Sequence, residues 1–272
     1  MFKDILLPLP GYPEPAALGQ ALEAARRLEA HVTGLVVERA VPLPLAFRPY
    51  GRDTEQALAA RRDESRASAQ AGLAFFAEEA RRAGLPHDGQ VVTVGDGAFD
   101  IVVEHARLRG LTIVPFASGD EHHADMLQAL VFDSGRPVLV MPEGGEGFSP
   151  DRIVVAWDFG RAAARAVADA MPLLRQARQV RVLTVLADKQ GPVSASGPEL
   201  LAHLARNGVH ATFEEVERGR RPVGEVLEEA AADADLMVMG AFGHSRIRDF
   251  FLGGATRHVL ASNPRRPTLL SH

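Results

Sequence analysis

The strongest chemical signal in the chain is a glycine-rich stretch that directly follows an apolar run. Gly240 and Gly243 are spaced three apart, and nine residues separate Gly243 from the pair Gly253 and Gly254. Glycine lets a backbone approach a ligand closely, and the free N–H groups of a helix N-terminus favour anions. The spacing predicts a phosphate-binding segment at the carboxyl end of a strand. It differs from both the Walker loop and the dinucleotide G-x-G-x-x-G fingerprint.

A carboxylate, Asp158, is the second candidate for chemistry. It follows the apolar run 153–157, and open parallel sheets bind ligands beyond the carboxyl ends of their strands, so it is expected near the glycines. A carboxylate accepts hydrogen bonds from ribose hydroxyls or from an exocyclic amine, and glycine amides hold phosphates. Two simpler interpretations remain open. Asp158 is also a good cap for a helix beginning near Arg161, and Gly240 and Gly243 are also common loop residues.

An internal repeat shows which elements must position these residues. The runs that open the two halves, 5–9 and 153–157, are offset by 148 residues (153 − 5), and each is followed by an Ala-rich helical pattern. In the first half the patterns predict strands at 5–9, 31–37, 89–94, 111–116 and 137–141 and helices at 16–29, 54–84 and 98–109. In the second half they predict strands at 153–157, 180–186, 210–216, 236–239 and 267–270 and helices at 161–175, 197–207 and 223–232.

This alternation of strands and helices predicts the fold class. We expect an α/β protein of two tandem domains, each an open, doubly wound, mostly parallel five-stranded sheet flanked by helices. Strands such as 236–239 are apolar at every position, which is typical of a sheet covered on both faces. The predicted boundaries are 1–142 for the first domain, 143–150 for a Gly-rich linker and 151–272 for the second domain.

Composition excludes several classes of function. The chain of 272 residues has a net charge of −5, which offers no basic field for nucleic acid. The cluster Arg218, Arg220 and Arg221 is interpreted as a solvated turn rather than a phosphate-binding surface. Cysteine is absent, which excludes disulfides and thiolate chemistry. No apolar run approaches the ~20 residues that span a bilayer, and no signal-peptide pattern opens the chain, so we expect a cytoplasmic protein without a membrane partner.

Residues 152–272 resemble a universal stress protein domain, and the two halves together resemble a tandem member of that family. Its nucleotide-binding members carry the glycine spacing described above, with Ser or Thr at the position where this chain has Gly254. Asp158 matches the family's acid after the first strand, and Val185 matches a valine that contacts adenine. The resemblance implies a site formed by Asp158, Val185, Gly240, Gly243, His244, Gly253, Gly254, Ala255 and Thr256.

The function implied by this resemblance is that of a cytoplasmic stress-response protein whose second domain binds an adenine nucleotide. ATP, ADP and AMP all remain open as the ligand, with or without Mg²⁺. In the family, domains associate through their last strands. This predicts contact between 137–141 and 267–270, so that the two domains form an intramolecular pseudo-dimer. Whether two chains also form a homodimer stays open. The alternatives are an interaction scaffold with empty sites and a slow ATPase. Asp158 and His244 are the only candidates for such chemistry, and we predict no catalytic residue.

The first half lacks this chemical equipment. Pro10 stands where Asp158 stands in the second half (158 − 148), and proline has neither a carboxylate nor an N–H group. Three acidic residues occupy the stretch 117–125 after the predicted fourth strand, and acidic side chains repel phosphates. We therefore expect no nucleotide in this half. The acidic and histidine residues at 120–125 also invite a metal interpretation, but they have no identifiable distant partner, and we predict no metal site.

Overall fold

The computed structural model describes residues 2–40, 52–95, 98–115, 121–142, 144, 148–186, 196–241 and 266–272. The chain divides into two compact units. The N-terminal unit consists of residues 2–114 and 119–136, and the C-terminal unit contains residues 137–272.

The first half of the chain contributes five strands and four helices within the described ranges. They follow in the order β1 (Asp4–Pro10), α1 (Pro15–Arg27), β2 (His31–Arg39), α2 (Arg52–Arg82), β3 (His87–Val94), α3 (Asp100–Arg107), β4 (Leu111–Pro115), α4 (Glu121–Asp133) and β5 (Val138–Met141).

The second half contributes five strands and three helices within the described ranges. They follow in the order β6 (Arg152–Ala156), α5 (Arg161–Leu174), β7 (Gln179–Leu186), α6 (Ser196–Arg206), β8 (Ala211–Glu217), α7 (Val223–Ala230), β9 (Leu236–Gly240) and β10 (Thr268–Ser271). Every strand predicted from the sequence is present, and the α/β class with mostly parallel strands is confirmed.

Parallel pairing dominates the sheet of each unit. In the N-terminal unit the strand order is β3-β2-β1-β4, and all three pairs are parallel. In the C-terminal unit the order is β5-β10-β9-β6-β7-β8, and only the β5–β10 pair is antiparallel. Leu236, Met237, Val238 and Met239 of β9 are all buried, as expected for a strand covered on both faces.

Strand β5 belongs to the first half of the sequence but to the C-terminal unit of the structure. It pairs with β10 in the register Thr268 to Val140 and Leu269 to Leu139. The predicted contact between 137–141 and 267–270 is therefore confirmed. Covering the edge of β10 in this way removes a row of unpaired backbone groups. The wider pseudo-dimer and any homodimer stay predictions.

Helix α4 is the one described element that the sequence patterns did not predict. It begins at Glu121, and His123 in its first turn is only 4% exposed. Met126, Leu127 and Leu130 supply the apolar face that buries this helix. The sequence pattern does not predict this helix because its first turn consists of acidic and histidine residues and its apolar residues occur only in the later turns.

Candidate functional site

The carboxyl end of β6 brings two of the predicted site residues side by side. Ala156 of β6 is in register with Leu183 of β7, and the Trp157 N–H donates to the Leu183 carbonyl at 2.8 Å. Asp158 and Val185 each lie two residues beyond this registered pair, Asp158 just after β6 and Val185 near the end of the adjacent strand β7.

Gly240 lies on the other side of β6. Ala156 is in register with Met239 of β9, so Gly240 is level with Trp157. Strand β6 lies between β7 on one side and β9 on the other, so the direction in which successive strands are added to the sheet reverses at β6. A reversal of this kind opens a crevice beyond the carboxyl ends of the strands, where α/β proteins bind ligands.

Close packing against α5 gives Gly240 a structural reason to be glycine. A Cβ atom at this position would lie 2.4 Å from the Ala163 nitrogen and 2.5 Å from the Ala162 carbonyl carbon. Both are backbone atoms in the first turn of α5. The end of β9 and the start of α5 therefore lie so close together that only a residue without a side chain fits at position 240. This tight contact brings the amino end of α5 to the crevice.

The Asp158 carboxylate closes the turn that precedes α5. Its Oδ1 accepts a hydrogen bond from the Gly160 N–H at 2.8 Å. Gly160 is the N-cap residue of α5 and has no side chain with which to cap the helix. Asp158 therefore lies two residues before the N-cap position. The first N–H groups of α5 have no intrahelical partners, and a helix N-terminus favours negative charge.

Two aromatic residues flank Asp158, and sequence reasoning missed both. The rings of Trp157 and Phe159 meet edge to face with centroids 5.9 Å apart. Phe159 adopts φ 62°, a left-handed backbone that is costly for a bulky residue, and its side chain is 37% exposed. Trp157 Nε1 is buried without a hydrogen-bond acceptor in the part of the chain that the structure describes. The sequence signal that could have identified Trp157 and Phe159 is their position immediately before and after Asp158.

Strand β6 is held in place at its opposite end by an ion pair. Asp235, just before β9, accepts from the Arg152 backbone N–H at 2.9 Å and from its guanidinium at 2.7 Å. Burial raises the pKa of Asp235, but the hydrogen bonds from the Arg152 side chain and backbone outweigh it and hold that pKa below its ordinary value. The pair ties the start of β6 to β9 and so supports their register at the crevice.

The remaining predicted site residues lie outside the described residues. These are Gly243, His244, Gly253, Gly254, Ala255 and Thr256. Among the residues that the structure describes, no cluster of three His, Cys, Asp or Glu side chains is arranged to hold a metal ion. The described part of the site therefore consists of Asp158, Val185 and Gly240, with the amino end of α5 beside them.

The corresponding edge of the N-terminal unit is covered by helix α2. A Cβ at Gly72 of α2 would lie 2.4 Å from the Gly11 carbonyl oxygen, immediately after β1. Tyr12 stacks on Phe75 of the same helix with ring centroids 5.1 Å apart. Val37, which matches Val185 at the offset of 148 (185 − 148), is only 6% exposed, whereas Val185 is half-buried. Helix α2 thus packs directly against the residues that follow β1.

These features define an open α/β sheet with a crevice at a topological switch point. The universal stress protein family model matches residues 150–265. No curated protein sequence matches the chain. Over the described residues, no helix is long and apolar enough to cross a membrane.

Solved structures of similar length have the same fold. A universal stress protein from Archaeoglobus fulgidus DSM 4304 is 15% identical with a TM-score of 0.73, over 98% of this chain and 97% of that chain. A protein from Pseudomonas aeruginosa PAO1, described as functionally unknown, is 17% identical with a TM-score of 0.57, over 99% of this chain and 92% of that chain. Residues 150–265 therefore match the universal stress protein family, and the whole chain shares its fold with a universal stress protein of similar length.

Proposed function

We propose that this protein binds one adenine nucleotide in the crevice of its second half and acts in stress response as a sensor or regulator. The observation that carries the proposal is the placement of Asp158 beside Val185 at the carboxyl end of β6, next to the amino end of α5. These groups offer an acceptor, an apolar contact and a positive helix end within one crevice. That combination suits a nucleoside with an attached phosphate.

Each group has a distinct role in this proposal. The exposed Asp158 carboxylate accepts from a ribose hydroxyl or from the exocyclic amine of the base. The half-buried Val185 side chain contacts the base. Amides around Gly243, Gly253 and Gly254 hold the phosphates, with His244, Ala255 and Thr256 as additional donors.

The number of phosphates is set by the departure from the family's motif at Gly254. Without a Ser or Thr hydroxyl at that position the site loses one donor, and a hydrogen bond to a charged group contributes about 1.5–3 kcal/mol. We therefore propose that ADP and AMP compete well with ATP, because the lost donor reduces affinity for the terminal phosphate most. We include a cytoplasmic location and binding with or without Mg²⁺ in the same proposal. Titration of the nucleotide into the protein in the presence of EDTA tests whether binding requires Mg²⁺.

The test is the identity of nucleotide carried by the purified protein. Freshly purified protein is denatured, and the released small molecules are identified by mass spectrometry. We expect a near-stoichiometric adenine nucleotide from the wild type. Little should be released by an Asp158→Ala, Gly243→Val double variant, because it loses the acceptor and blocks close backbone approach. Asp88→Ala, an exposed carboxylate of the N-terminal unit, is the matched control and should retain the ligand.

Thermal unfolding decides the case of a protein that is purified empty. A ligand that binds only the folded state stabilises it by about 2.7 kcal/mol at a concentration 100 times Kd. A wild type that carries no nucleotide and gains no stability from millimolar ATP, ADP or AMP contradicts the proposal. The interaction scaffold, which the Gly254 substitution favours, would then be the better account.

A further inference from the structure

Phe159 occupies a backbone position that suits glycine. Its φ of 62° lies in the left-handed region, which is disfavoured for a bulky side chain. The turn around it is closed, because Asp158 Oδ1 accepts from the Gly160 N–H and Phe159 lies between these two residues. A hydrogen-bonded turn therefore holds an aromatic residue in a strained conformation directly beside the Asp158 carboxylate.

The first half of the chain forms the corresponding turn with glycine. Strands β1 and β2 pair in the same register as β6 and β7 when both are shifted by 148 residues. Phe159 therefore corresponds to Gly11 (159 − 148), whose φ of 57° is nearly the same. The turn after the first strand is thus left-handed in both halves, and glycine adopts that conformation without strain.

Burial does not account for the phenyl ring at this position. Phe159 is 37% exposed, and among the described residues of the C-terminal unit no other large apolar residue is as exposed. Its one ring contact within the same ranges is with Trp157, at 5.9 Å between centroids and 70° between ring planes. Folding stability alone therefore does not explain an aromatic residue where glycine fits more easily.

The ring belongs to the same strand end as the groups that the proposed function assigns to the nucleoside. Asp158 is the preceding residue, and Val185 is level with Asp158 on the neighbouring strand β7. Neighbouring strands lie about 4.8 Å apart and successive Cα atoms about 3.8 Å apart, so the Cα atoms of Phe159 and Val185 are less than about 9 Å apart. That distance leaves room for one planar base between the two side chains.

An exposed aromatic ring next to a hydrogen-bond acceptor suits a nucleobase. Aromatic side chains stack on bases because every base has a π-face. A purine gains more from this contact than a pyrimidine, because its two fused rings remove more apolar surface from water. The adjacent Asp158 carboxylate can accept from the exocyclic amine of the base or from the ribose.

From the comparison of the two turns we infer that Phe159 stacks on the nucleobase and makes the site selective for purine over pyrimidine nucleotides. The inference rests on the proposed function, because it assigns a specificity-determining residue to the same nucleotide. Val185 contacts one face of the base and Phe159 contacts the other, while Trp157 supports the phenyl ring from behind. The left-handed backbone of Phe159 is retained because its ring contributes to binding.

Calorimetric titration of ADP and of UDP into the full chain tests the inference. The wild type should bind ADP more tightly than UDP. Phe159→Leu keeps an apolar side chain but removes the ring, and it should weaken ADP binding about tenfold. It should weaken UDP binding less, so that the preference for ADP becomes smaller. Phe159→Tyr retains the ring and should retain the wild-type preference.

Phe159→Gly separates a role in binding from a role in packing. Glycine accepts the left-handed backbone, as Gly11 does, so the midpoint of urea unfolding should stay close to that of the wild type. ADP affinity should nevertheless fall about tenfold, as in Phe159→Leu. A lower midpoint with unchanged ADP affinity would show that the ring serves packing on Trp157, and it would overturn the inference.

Tyr12→Leu is the matched control, since Tyr12 is a 52% exposed aromatic residue next to Gly11 in the turn of the first half. It should leave the affinities for ADP and UDP unchanged. Unchanged ADP affinity in Phe159→Leu overturns the inference and leaves the proposed function intact. Equal binding of ADP and UDP by the wild type, or an equal loss of both in Phe159→Leu, overturns it too. Failure of both nucleotides to bind the wild type overturns the proposed function and the inference together.

Discussion

Gly240→Ala separates the structural role of this glycine from its predicted role in phosphate binding. The added Cβ would lie 2.4 Å from the Ala163 nitrogen, 2.5 Å from the Ala162 carbonyl carbon and 2.9 Å from the Ala162 Cβ. None of these atoms is the far end of a flexible side chain. The helix itself must therefore move away from β9.

The magnitude follows from these distances. Inserting a group into a well-packed core costs typically about 1–3 kcal/mol, and a clash with backbone lies in the upper part of that range. Replacing glycine also restricts the unfolded chain, which offsets about 0.4–1 kcal/mol where the native backbone accepts alanine. We expect the free energy of unfolding to fall by about 2 kcal/mol in Gly240→Ala.

Urea unfolding followed by far-UV circular dichroism and by tryptophan fluorescence is the assay. Trp157 is the only tryptophan of the chain and lies level with Gly240 on the adjacent strand, so its emission reports the affected region. Gly19→Ala is the control, because a Cβ there meets nothing within 4 Å and the residue lies inside α1. It should raise stability by about 0.5–1 kcal/mol, as glycine is a poor helix former.

A Gly240→Ala protein as stable as the wild type would refute this reasoning. If stability were unchanged and only nucleotide affinity fell, Gly240 would serve the ligand alone. A loss of stability with no ligand present would establish that helix packing itself requires the glycine.

Two further predictions concern the ionic contacts of the C-terminal unit. The pKa of Asp235 is lower in the folded state, so its contribution is present above the ordinary carboxyl pKa and is lost as pH falls through the lower folded value. Asp235→Asn should therefore reduce stability by about 1–2 kcal/mol at pH 7, and urea unfolding should show little difference from the wild type in strong acid. Glu228→Gln should cost about 3 kcal/mol by the same assay, because Arg266 lies 3.2 Å from Glu228 and is 7% exposed. A paired Glu228→Leu, Arg266→Met variant should regain stability, and equal loss in both variants would contradict a charge-based explanation.

The strands were predictable because β6 and β9 are apolar at nearly every position and follow polar or turn residues. Helix α4 was not, because the letters at its start are acidic and histidine residues while its apolar face is confined to Met126, Leu127 and Leu130. Hydrophobic periodicity and helix propensity are weak in the first turn of such a helix, because its residues there are polar. Its burial depends on tertiary packing that no local window contains.

The site was predictable in part for a similar reason. Strand ends meet at one edge of a parallel sheet, so Asp158 could be placed at the crevice from the element order, whereas Val185 was indicated only by the family resemblance. The contact between Gly240 and Ala163 could not, because it depends on how closely α5 packs on β9. The covering of the first-half crevice by Gly72 of α2 likewise depends on three-dimensional packing. Sequence comparison of the halves detects the missing carboxylate at Pro10 and the acidic stretch 117–125, but not this packing.

Calorimetric titration of ADP into the wild type, Asp158→Ala and Asp158→Asn tests the central claim most directly. Asp158→Asn retains an oxygen that can accept from the Gly160 N–H, so it separates the turn from the ligand contact. We expect one site per chain in the wild type. Asp158→Ala should bind about tenfold more weakly, the effect of one lost hydrogen bond to a charged group, and Asp158→Asn should lie between the two. Wild-type protein that binds no ADP, or affinity that is unchanged in Asp158→Ala, would contradict a nucleotide site at the carboxyl end of β6.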